Sequence, residues 1–361
     1  MELNEIYAII YIMFSSKNIY YVLFVFSMII ISAYASKKWK AMFTTNDEYD
    51  IIKNYLLTDS PLYGFNKPKI WIHSKFEYNA RKWQSFHSRS SRDLNQPYIH
   101  LTIRSVIDHC GDDFHICLID DDTFSKLIPS WDLDLATVAE PMKSQLREIG
   151  MAEIVYYYGG IVLPNSFLCT NNIIDLYHKG IEGDKMFVCE NVNHGEDLLK
   201  QKVRKLFVPS TYIFGAPKNN VQIKEYVKCL KQRNQTPHFS NTAEFVGDTS
   251  GWCVTKASAQ EINVLGGEFF GVKTTKGKPV LLDHLMEEEY LPFSNQMVGI
   301  YIPGDEILTR IKYKWFAVIS SEELMKSNML ITKYLKSSMV DVVSKTYQIK
   351  HEVKHHNVSA I

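Results

Sequence analysis

Three short clusters of carboxylates, glycines and a histidine could do chemistry in this chain. They are Asp120-Asp121-Asp122, Gly159-Gly160 followed by Pro164-Asn165-Ser166, and Asp283-His284. The aspartates follow an apolar run, so they could bind a polar ligand at a strand end or simply form a solvated turn that caps the next helix. An Asp-His pair can act as a general base or orient one. These clusters are the candidate site if the fold brings them together.

The glycine pair lies between a predicted helix and a predicted strand. The apolar residues before it recur at helical spacing: Met142, Leu146, Ile149, Ala152 and Tyr156. Paired glycines suit a helix stop, so the helix is expected to end at about Tyr158. Ile161-Val162-Leu163 then reads as a short buried strand, which Pro164 ends because proline lacks an N–H. The following turn is expected at the carboxyl end of a strand, where open α/β sheets bind ligands.

Helices and strands alternate around this strip, which predicts an α/β fold. We expect strands over 68–73, 114–119 and 212–216, and helices over 97–110 and 219–230, with an acidic helix from 281 through 289. The six cysteines have no CxxC spacing and lie mostly in apolar runs, so buried free thiols are expected rather than a disulfide framework.

Composition excludes several classes of protein. The chain has 361 residues, 46% of them hydrophobic, which is ample for a core and excludes a disordered protein. Lys+Arg and Asp+Glu both number 40, and no zinc-finger, helix-turn-helix or RNA-binding signature is present. We therefore predict no nucleic-acid partner. P-loop and G-x-S-x-G motifs are also missing, so no motif in the sequence indicates a kinase or a hydrolase.

Residues 19–35 form an uncharged apolar run that is close to the length of a membrane span. Lys37, Lys38 and Lys40 follow it, while only Lys17 precedes it closely, so the positive-inside rule places the body on the cytosolic side. A single-pass anchor in the lipid bilayer is our prediction. The alternatives are a cleaved signal peptide and a buried core helix.

The strip from Tyr156 to Ser166 resembles the nucleotide-binding strand of glycosyltransferases with a DXD sugar-binding region. That group contains initiating mannosyltransferases and capsular polysaccharide synthesis proteins, and its pattern ends L-Y-x-Y-G-G-I-Y-x-D-x-D. Pro68–His73 is similar to the P-K-I-I-H of its opening strand. The order of elements with a P-N-S-like turn also looks like glycosyltransferase-like proteins of large DNA viruses. The resemblance covers about residues 67–270 and implies a Rossmann-type GT-A domain.

The resemblance also implies a nucleotide-sugar donor, a glycan acceptor, a retaining transfer and a set of site residues. Asp283 and His284 would act near the acceptor, and Asp120 and Asp121 would contact the nucleoside. The remaining nucleotide-sugar-binding residues would be Glu148, Tyr158, Gly159, Gly160, Asn165 and Ser166. Arg147, beside Glu148, could bind a phosphate, whereas His73 is read as structural.

The two DXD aspartates fall on Pro164 and Ser166, so the ligands for a divalent cation are missing from the strip. We assign no metal site, and Mn²⁺ or Mg²⁺ would require a substitute such as Asp120 and Asp122. Fixed charges could replace the cation. The basic residues available for this in the loop after the first strand are Lys75, Arg81, Lys82, Arg89 and Arg92.

The sequence therefore predicts four segments: a membrane anchor (1–40), a stalk (41–66), a GT-A-like glycosyltransferase domain (67–320) and a helical tail (321–361). The expected function is transfer of a sugar from a nucleotide-sugar donor to a glycan or another hydroxyl acceptor. The alternative is a catalytically inactive pseudo-glycosyltransferase that acts as a scaffold or binds glycans.

Overall fold

In a computed structural model of the chain, residues 67–74, 96–129, 131–192, 206–235 and 242–339 are described, without the side chains of 242–248. The predicted membrane span 19–35, the stalk and the basic residues of the predicted loop after the first strand lie outside these ranges. All described residues belong to one compact unit within residues 52–361. None of the helices in the described ranges has the length and apolar character needed to cross a bilayer.

Strands and helices alternate through the first half of the described chain. The strands are β1 (Lys69–His73), β2 (His115–Ile119), β3 (Gly160–Leu163), β4 (Phe167–Cys169), β5 (Phe187–Val192), β6 (Phe207–Ala216), β7 (Asn263–Leu265) and β8 (Gly299–Tyr301). The α-helices are α1 (Pro97–Cys110), α2 (Thr123–Leu127), α3 (Met142–Tyr158), α4 (Ile174–Gly180), α5 (Val221–Gln235), α6 (Thr242–Ser258), α7 (Leu282–Met286), α8 (Gly304–Thr309), α9 (Ser321–Lys326) and α10 (330–339). Short 3₁₀ turns occupy Leu135–Thr137, Gly267–Phe270 and Ile311–Tyr313.

Six of these strands form the central sheet, in the order β2-β1-β3-β6-β5-β7. β1 pairs in parallel with β2 on one side and with β3 on the other, while β6 is antiparallel to both of its neighbours. β4 and β8 form a separate antiparallel pair. The chain thus moves outward from β1 to β2 and returns across β1 to reach β3, which creates a topological switch point at β1.

Both faces of the parallel strands are covered, as expected when crossover helices lie on a sheet. Trp71, Cys117 and Val162 belong to the core cluster that contains α3. Their neighbours Ile70, Leu118 and Ile161 are equally buried but lie outside that cluster. Because side chains alternate between the two faces of a strand, the continuous apolar runs are explained by burial on both sides.

The main elements agree with the sequence predictions. Helix α1 has the predicted bounds, α3 ends at Tyr158, and β1 and β2 each begin within one residue of the expected position. The six cysteines are free thiols, as predicted: five are buried, and Cys229 is partly exposed.

Three boundaries were predicted wrongly. Helix α5 ends at Gln235, five residues after the predicted end. The other two differences have a cause in the tertiary structure. Strand β6 begins at Phe207, five residues before the predicted start, because Phe207–Ser210 pair with the second half of β5. The helix that opens at 282 ends at Met286 instead of continuing through Glu289. Glu287 is extended, and its carbonyl accepts a hydrogen bond from the Leu330 N–H at the start of α10. In both places a contact distant in sequence overrides the local pattern.

The stretch beyond Ser320 contributes to the core. Leu324, Leu330 and Leu335 are fully buried. The Ser338 hydroxyl in α10 donates to the Cys169 carbonyl of β4 (2.8 Å) and lies 2.9 Å from His109 Nε2 at the end of α1. Helix α10 therefore packs across the β4 side of the fold.

Gly159 and Gly160 allow β3 to start directly against β1. Both have positive φ, 69° and 107°. A Cβ on Gly160 would overlap the Lys69 carbonyl group, and one on Gly159 would lie 2.8 Å from the Lys218 backbone nitrogen. Glycine is thus required here both for its backbone conformation and for the close approach of neighbouring chain.

We expect Gly160→Ala to lower the free energy of unfolding by clearly more than the roughly 1–2 kcal/mol that a Cβ costs in a left-handed conformation. The matched control is Gly277→Ala, because Gly277 also has positive φ (72°) but has no atom within 4 Å of its ideal Cβ position. Gly277→Ala therefore measures the cost of placing a Cβ on a residue with positive φ, without any steric overlap. Equal losses for the two variants in denaturant unfolding would contradict the steric role of Gly160.

Candidate functional site

The carboxyl ends of β1, β2 and β3 meet at one edge of the sheet. The strand registers align His73 with Ile119, and Ile72 with Leu163. The residues that follow these strands, among them Asp121 and Asn165, therefore leave the sheet at the same edge. This edge brings together the first two of the three clusters singled out in the sequence.

An ion-pair cluster of His73, Asp121 and Arg147 lies at the β1–β2 part of this edge. Arg147 Nε and Nη2 donate to the two carboxylate oxygens of Asp121 at 2.9 and 2.8 Å. His73 Nε2 lies 3.0 Å from Asp121 Oδ1, and its ring stacks on Phe124. The three side chains are 5–13% exposed. Both oxygens of Asp121 are therefore engaged by neighbouring side chains.

The alternation of strand side chains explains why this cluster forms. Trp71 and Cys117 face α3, so two residues further on His73 leaves the sheet on that same face, as Ile119 does. Asp121 continues the direction of Ile119 and meets Arg147 on α3. The sequence patterns of β1 and β2 thus deliver two polar groups to one helix position.

The ion pairs lower the pKa of Asp121. Burial alone would raise it, but hydrogen bonds from His73 and Arg147, together with their charges, outweigh burial and hold the pKa well below its usual range. Asp121 is thus an anion at neutral pH, and its charge is balanced inside the protein. Its position suits it to hold Arg147 and His73 in place.

Asp120 contributes to a turn. Its Oδ1 accepts hydrogen bonds from the backbone N–H and the hydroxyl of Thr123, the first residue of α2. Asp122 is exposed. The capping alternative considered for this cluster therefore describes the observed contacts of Asp120, and the predicted nucleoside contact of Asp120 and Asp121 stays a prediction.

Glu148 points away from Asp121, although Arg147 precedes it directly. Its Oε1 accepts from the Thr211 hydroxyl (2.9 Å) and the Tyr226 hydroxyl (3.1 Å), which belong to β6 and α5. Burial, followed by the charge of Glu148, raises the pKa of Tyr226. Adjacent helix positions differ by about 100° in direction, so only one of the two can face the β1–β2 edge. That residue is Arg147.

The connection between α3 and β3 consists of Tyr158 and the glycine pair. The Tyr158 hydroxyl donates to the Leu127 carbonyl at 2.8 Å. Trp71 Nε1 donates to the Gly159 carbonyl, also at 2.8 Å, and the rings of Trp71 and Tyr158 lie 5.8 Å apart. These contacts tie the end of α3 to β1 and α2.

The Pro164-Asn165-Ser166 turn follows β3 as predicted. The Phe167 N–H donates to the Pro164 carbonyl, and the Thr102 hydroxyl of α1 donates to the Asn165 carbonyl at 2.6 Å. Ser166 is buried, and its hydroxyl donates to the Ile302 carbonyl at 2.6 Å. Asn165 is half-buried, and no hydrogen bond to its side-chain amide comes from the described residues. Among the polar side chains of this turn, the Asn165 amide is the one available to a ligand.

Asp283 and His284 begin α7 in a second charged cluster. Arg310 binds both Asp283 oxygens at 2.7 and 2.9 Å, and the Tyr313 hydroxyl donates to the same carboxylate. The hydrogen bond from Arg310 is the main reason why the pKa of Asp283 lies well below its usual range. His284 Nδ1 accepts from the Leu281 N–H at 3.1 Å. A carboxylate with so low a pKa is a weak proton acceptor at neutral pH.

The residues at the β3 turn do not fit a divalent metal. Pro164 has no ligand atom, and the Ser166 hydroxyl is committed to a backbone carbonyl. Asp121 has both oxygens in ion pairs. Within the described ranges, no group of three or more His, Cys, Asp or Glu side chains could hold a metal ion.

His73 and Arg147, which the sequence analysis does not count among the site residues, are the central partners of Asp121. The sequence suggests Arg147 only as a possible phosphate ligand next to Glu148. The signal that could have found the cluster is the alternation from Trp71 to His73 and from Ile119 to Asp121, which directs both side chains toward the helix carrying Arg147.

The chain was compared with known proteins. It matches no protein-family model and no curated protein. Among solved structures it is similar to the glycosyltransferase GlyE of Streptococcus pneumoniae TIGR4, at a TM-score of 0.38 and 8% identity over 79% of this chain. The chain spans 64% of GlyE, which is less than two thirds of its length.

Two further similar structures are mouse xyloside xylosyltransferase 1 and the galactosyltransferase LgtC. The first has a TM-score of 0.38 and 8% identity, covering 66% of this chain and 98% of the xylosyltransferase. LgtC, solved with donor and acceptor sugar analogs, has a TM-score of 0.35 and 8% identity, covering 72% of this chain and 99% of LgtC. Likenesses this distant do not place the chain in a family.

We expect Asp121→Asn to lower the free energy of unfolding by about 3 kcal/mol at neutral pH, because it removes the bidentate partner of the buried Arg147 guanidinium and leaves it the half-exposed Glu140, 3.5 Å away. The folded pKa of Asp121 lies below the unfolded value of about 3.9. Its stabilisation is therefore fully present above about pH 5 and is lost as the pH falls through the folded pKa. Denaturant unfolding across this range should show the loss shrinking in acid.

The exposed neighbour Asp122 provides the matched control. Asp122→Asn removes the same charge one residue away and should change the stability by less than about 0.5 kcal/mol. A loss at Asp121 that did not depend on pH would contradict the assigned ion pair.

Proposed function

We propose that the protein binds a nucleotide sugar where β1 and β3 end and transfers the sugar to a hydroxyl acceptor. The observation that carries this proposal is the topological switch point at β1. In open α/β sheets, ligands bind in the crevice outside the carboxyl ends of the strands at such a point. The strip that resembles a sugar-nucleotide strand leaves the sheet at that position, through the Pro164-Asn165-Ser166 turn.

Within this proposal the turn provides polar contacts and the charge comes from elsewhere. Thr102 holds the Asn165 backbone, which leaves the side-chain amide to hydrogen-bond the diphosphate or the sugar. Arg147 is already paired with Asp121. We therefore assign the binding and neutralisation of the diphosphate to the basic residues between 75 and 92. In a retaining transfer, the acceptor oxygen bonds to the anomeric carbon on the side from which the nucleoside diphosphate departs.

A second candidate function is a non-catalytic relative that binds a sugar nucleotide or a glycan as a scaffold. Asp283 favours this reading, because its carboxylate is held by Arg310 and Tyr313 and its pKa is lowered. A general base at neutral pH needs a pKa nearer to 7. The two candidates share the binding site and differ in whether sugar is transferred.

The finer features also belong to this proposal. We infer from the sequence that residues 19–35 anchor the protein in a membrane with the body on the cytosolic side. The lysines that follow the run support this orientation.

We predict that nucleotide-sugar binding does not depend on a divalent cation, because the β3 turn offers no cation ligand. Isothermal titration calorimetry with a panel of UDP- and GDP-sugars should give nearly the same Kd in EDTA as in Mn²⁺. A steep loss of affinity on chelation would contradict this prediction and direct attention to Asp120 and Asp122. Absence of binding to every nucleotide sugar would reject the donor site itself.

We further predict that Asn165→Ala weakens nucleotide-sugar binding by about 2- to 10-fold, the value of roughly one hydrogen bond. The thermal midpoint should hardly change, because the backbone contacts of the turn do not involve the amide. Asn295→Ala, at an exposed asparagine of a surface loop, is the matched control and should bind as the parent does. Release of free nucleoside diphosphate in the presence of acceptors separates the enzyme from the scaffold.

A further inference from the structure

The segment from Ile307 to Val318 is apolar on two sides. On its inner side Ile307, Tyr313, Phe316 and Ala317 are buried. On its outer side Leu308, Ile311, Trp315 and Val318 are exposed by 37, 86, 45 and 50%. We call these four outer residues the apolar stripe. A surface helix normally turns polar residues toward water, so a second apolar side facing outward requires an explanation.

The members of the apolar stripe recur along one exposed stretch of chain. Leu308 lies in α8, which ends before the extended residue Arg310. Ile311, Trp315 and Val318 follow in the 3₁₀ turn Ile311–Tyr313 and the turns after it, at intervals of four and three residues. Hydrogen bonds from the Val318 and Ile319 N–H groups to the Trp315 carbonyl continue these turns. The stripe is thus a set of four exposed apolar side chains within eleven residues of chain.

The inner side holds the apolar stripe in place. Phe316 packs on Tyr98 of α1 with ring centroids 4.9 Å apart. Tyr313 donates to Asp283, and Arg310 binds the same carboxylate through two nitrogens. The apolar stripe is therefore presented by a segment that is anchored to the core at several points.

The charged residues within this stretch of chain are basic, and two of them, Arg310 and Lys312, lie beside Asp283 or Glu306. No acidic residue occurs between Glu306 and Glu322, whereas Arg310, Lys312 and Lys314 all lie in this interval. Arg310 is balanced by Asp283. Lys312 is 70% exposed with its Nζ 3.4 Å from Asp283, and Lys314 is also exposed. Long basic side chains next to exposed apolar groups complement a surface that is apolar and negatively charged.

We propose that the apolar stripe docks on the surface of an anionic lipid bilayer. Ile311 and Trp315 enter the boundary between headgroups and acyl chains, and Lys312 and Lys314 contact the headgroups. A tryptophan with flanking lysines is the combination typical of membrane interfaces. The segment is too short to span a bilayer, so it lies on the membrane. This docking involves other residues than the predicted anchor 19–35 and does not depend on sugar transfer.

Docking at this place would orient the candidate crevice. Helix α8 starts at Gly304, two residues after Ile302, whose backbone hydrogen-bonds to Ser166 in the β3 turn. The membrane contact and the β3 turn are therefore joined by a short, hydrogen-bonded stretch of chain.

The test measures lipid contact at a single position of the full chain, because residues 19–35 could hold the protein on membranes by themselves. An environment-sensitive fluorophore is attached at Ile311→Cys, with the same label at Lys276→Cys, an exposed turn, as the matched control. The unsubstituted protein reports background labelling of Cys229. The protein is reconstituted into phosphatidylcholine vesicles with and without phosphatidylserine, and spin-labelled lipid serves as the quencher.

We expect severalfold stronger quenching at position 311 than at position 276 in vesicles that contain phosphatidylserine. Reversing the charges with Lys312→Glu and Lys314→Glu should reduce the quenching at 311, while Lys276→Glu should leave it unchanged. Lys312 and Lys314 are both exposed, so thermal unfolding of the charge-reversal variants should show an intact fold. Equal, weak quenching at 311 and 276 would overturn the proposal. Burial of the 311 probe without lipid, increasing with protein concentration, would instead assign the stripe to a contact between copies of the chain.

Discussion

The close approach of β3 to β1 is the constraint on which the candidate site depends. At Gly160 the two backbones lie so near each other that a Cβ would overlap the Lys69 carbonyl group. This contact sets the register that ends β1 and β3 at the same edge. It therefore decides where the Pro164-Asn165-Ser166 turn leaves the sheet and where the switch point opens. Trp71, through its hydrogen bond to the Gly159 carbonyl, holds the same junction from the α3 face.

The charged groups of the two candidate clusters are largely balanced within the fold. Asp121 is paired with Arg147 and His73, and Asp283 with Arg310 and Tyr313. In both clusters an arginine donates to a carboxylate through two nitrogens. This bidentate arrangement fixes the relative orientation of the two side chains and also balances their charges. Such pairs prepare a rigid polar surface but leave few charges for a ligand. A negatively charged donor would consequently depend on cationic groups outside these two clusters.

The two proposals describe different parts of one unit. The crevice at β1 and β3 would bind the sugar nucleotide, and the apolar stripe beyond α8 would bind lipid. They are linked through Ile302, which hydrogen-bonds to Ser166 just before α8 begins. A membrane-bound acceptor would be compatible with both binding sites. Sugar-nucleotide binding depends on polar contacts and lipid binding on exposed apolar side chains, so either one can be absent while the other is present.

Elements with a local signal could be predicted from the order of the amino acids. The helical spacing before Tyr158, the glycine pair and Pro164 were sufficient to predict α3, β3 and the turn, because periodicity and backbone restrictions act within a few residues. Which polar residues meet is set by the packing of elements that are distant in sequence. Arg147 rather than Glu148 faces Asp121, Ser166 is tied to Ile302, and the helix at 282 stops where α10 binds Glu287. These outcomes depend on the direction of side chains on packed elements and on contacts far apart in sequence, which no local pattern contains.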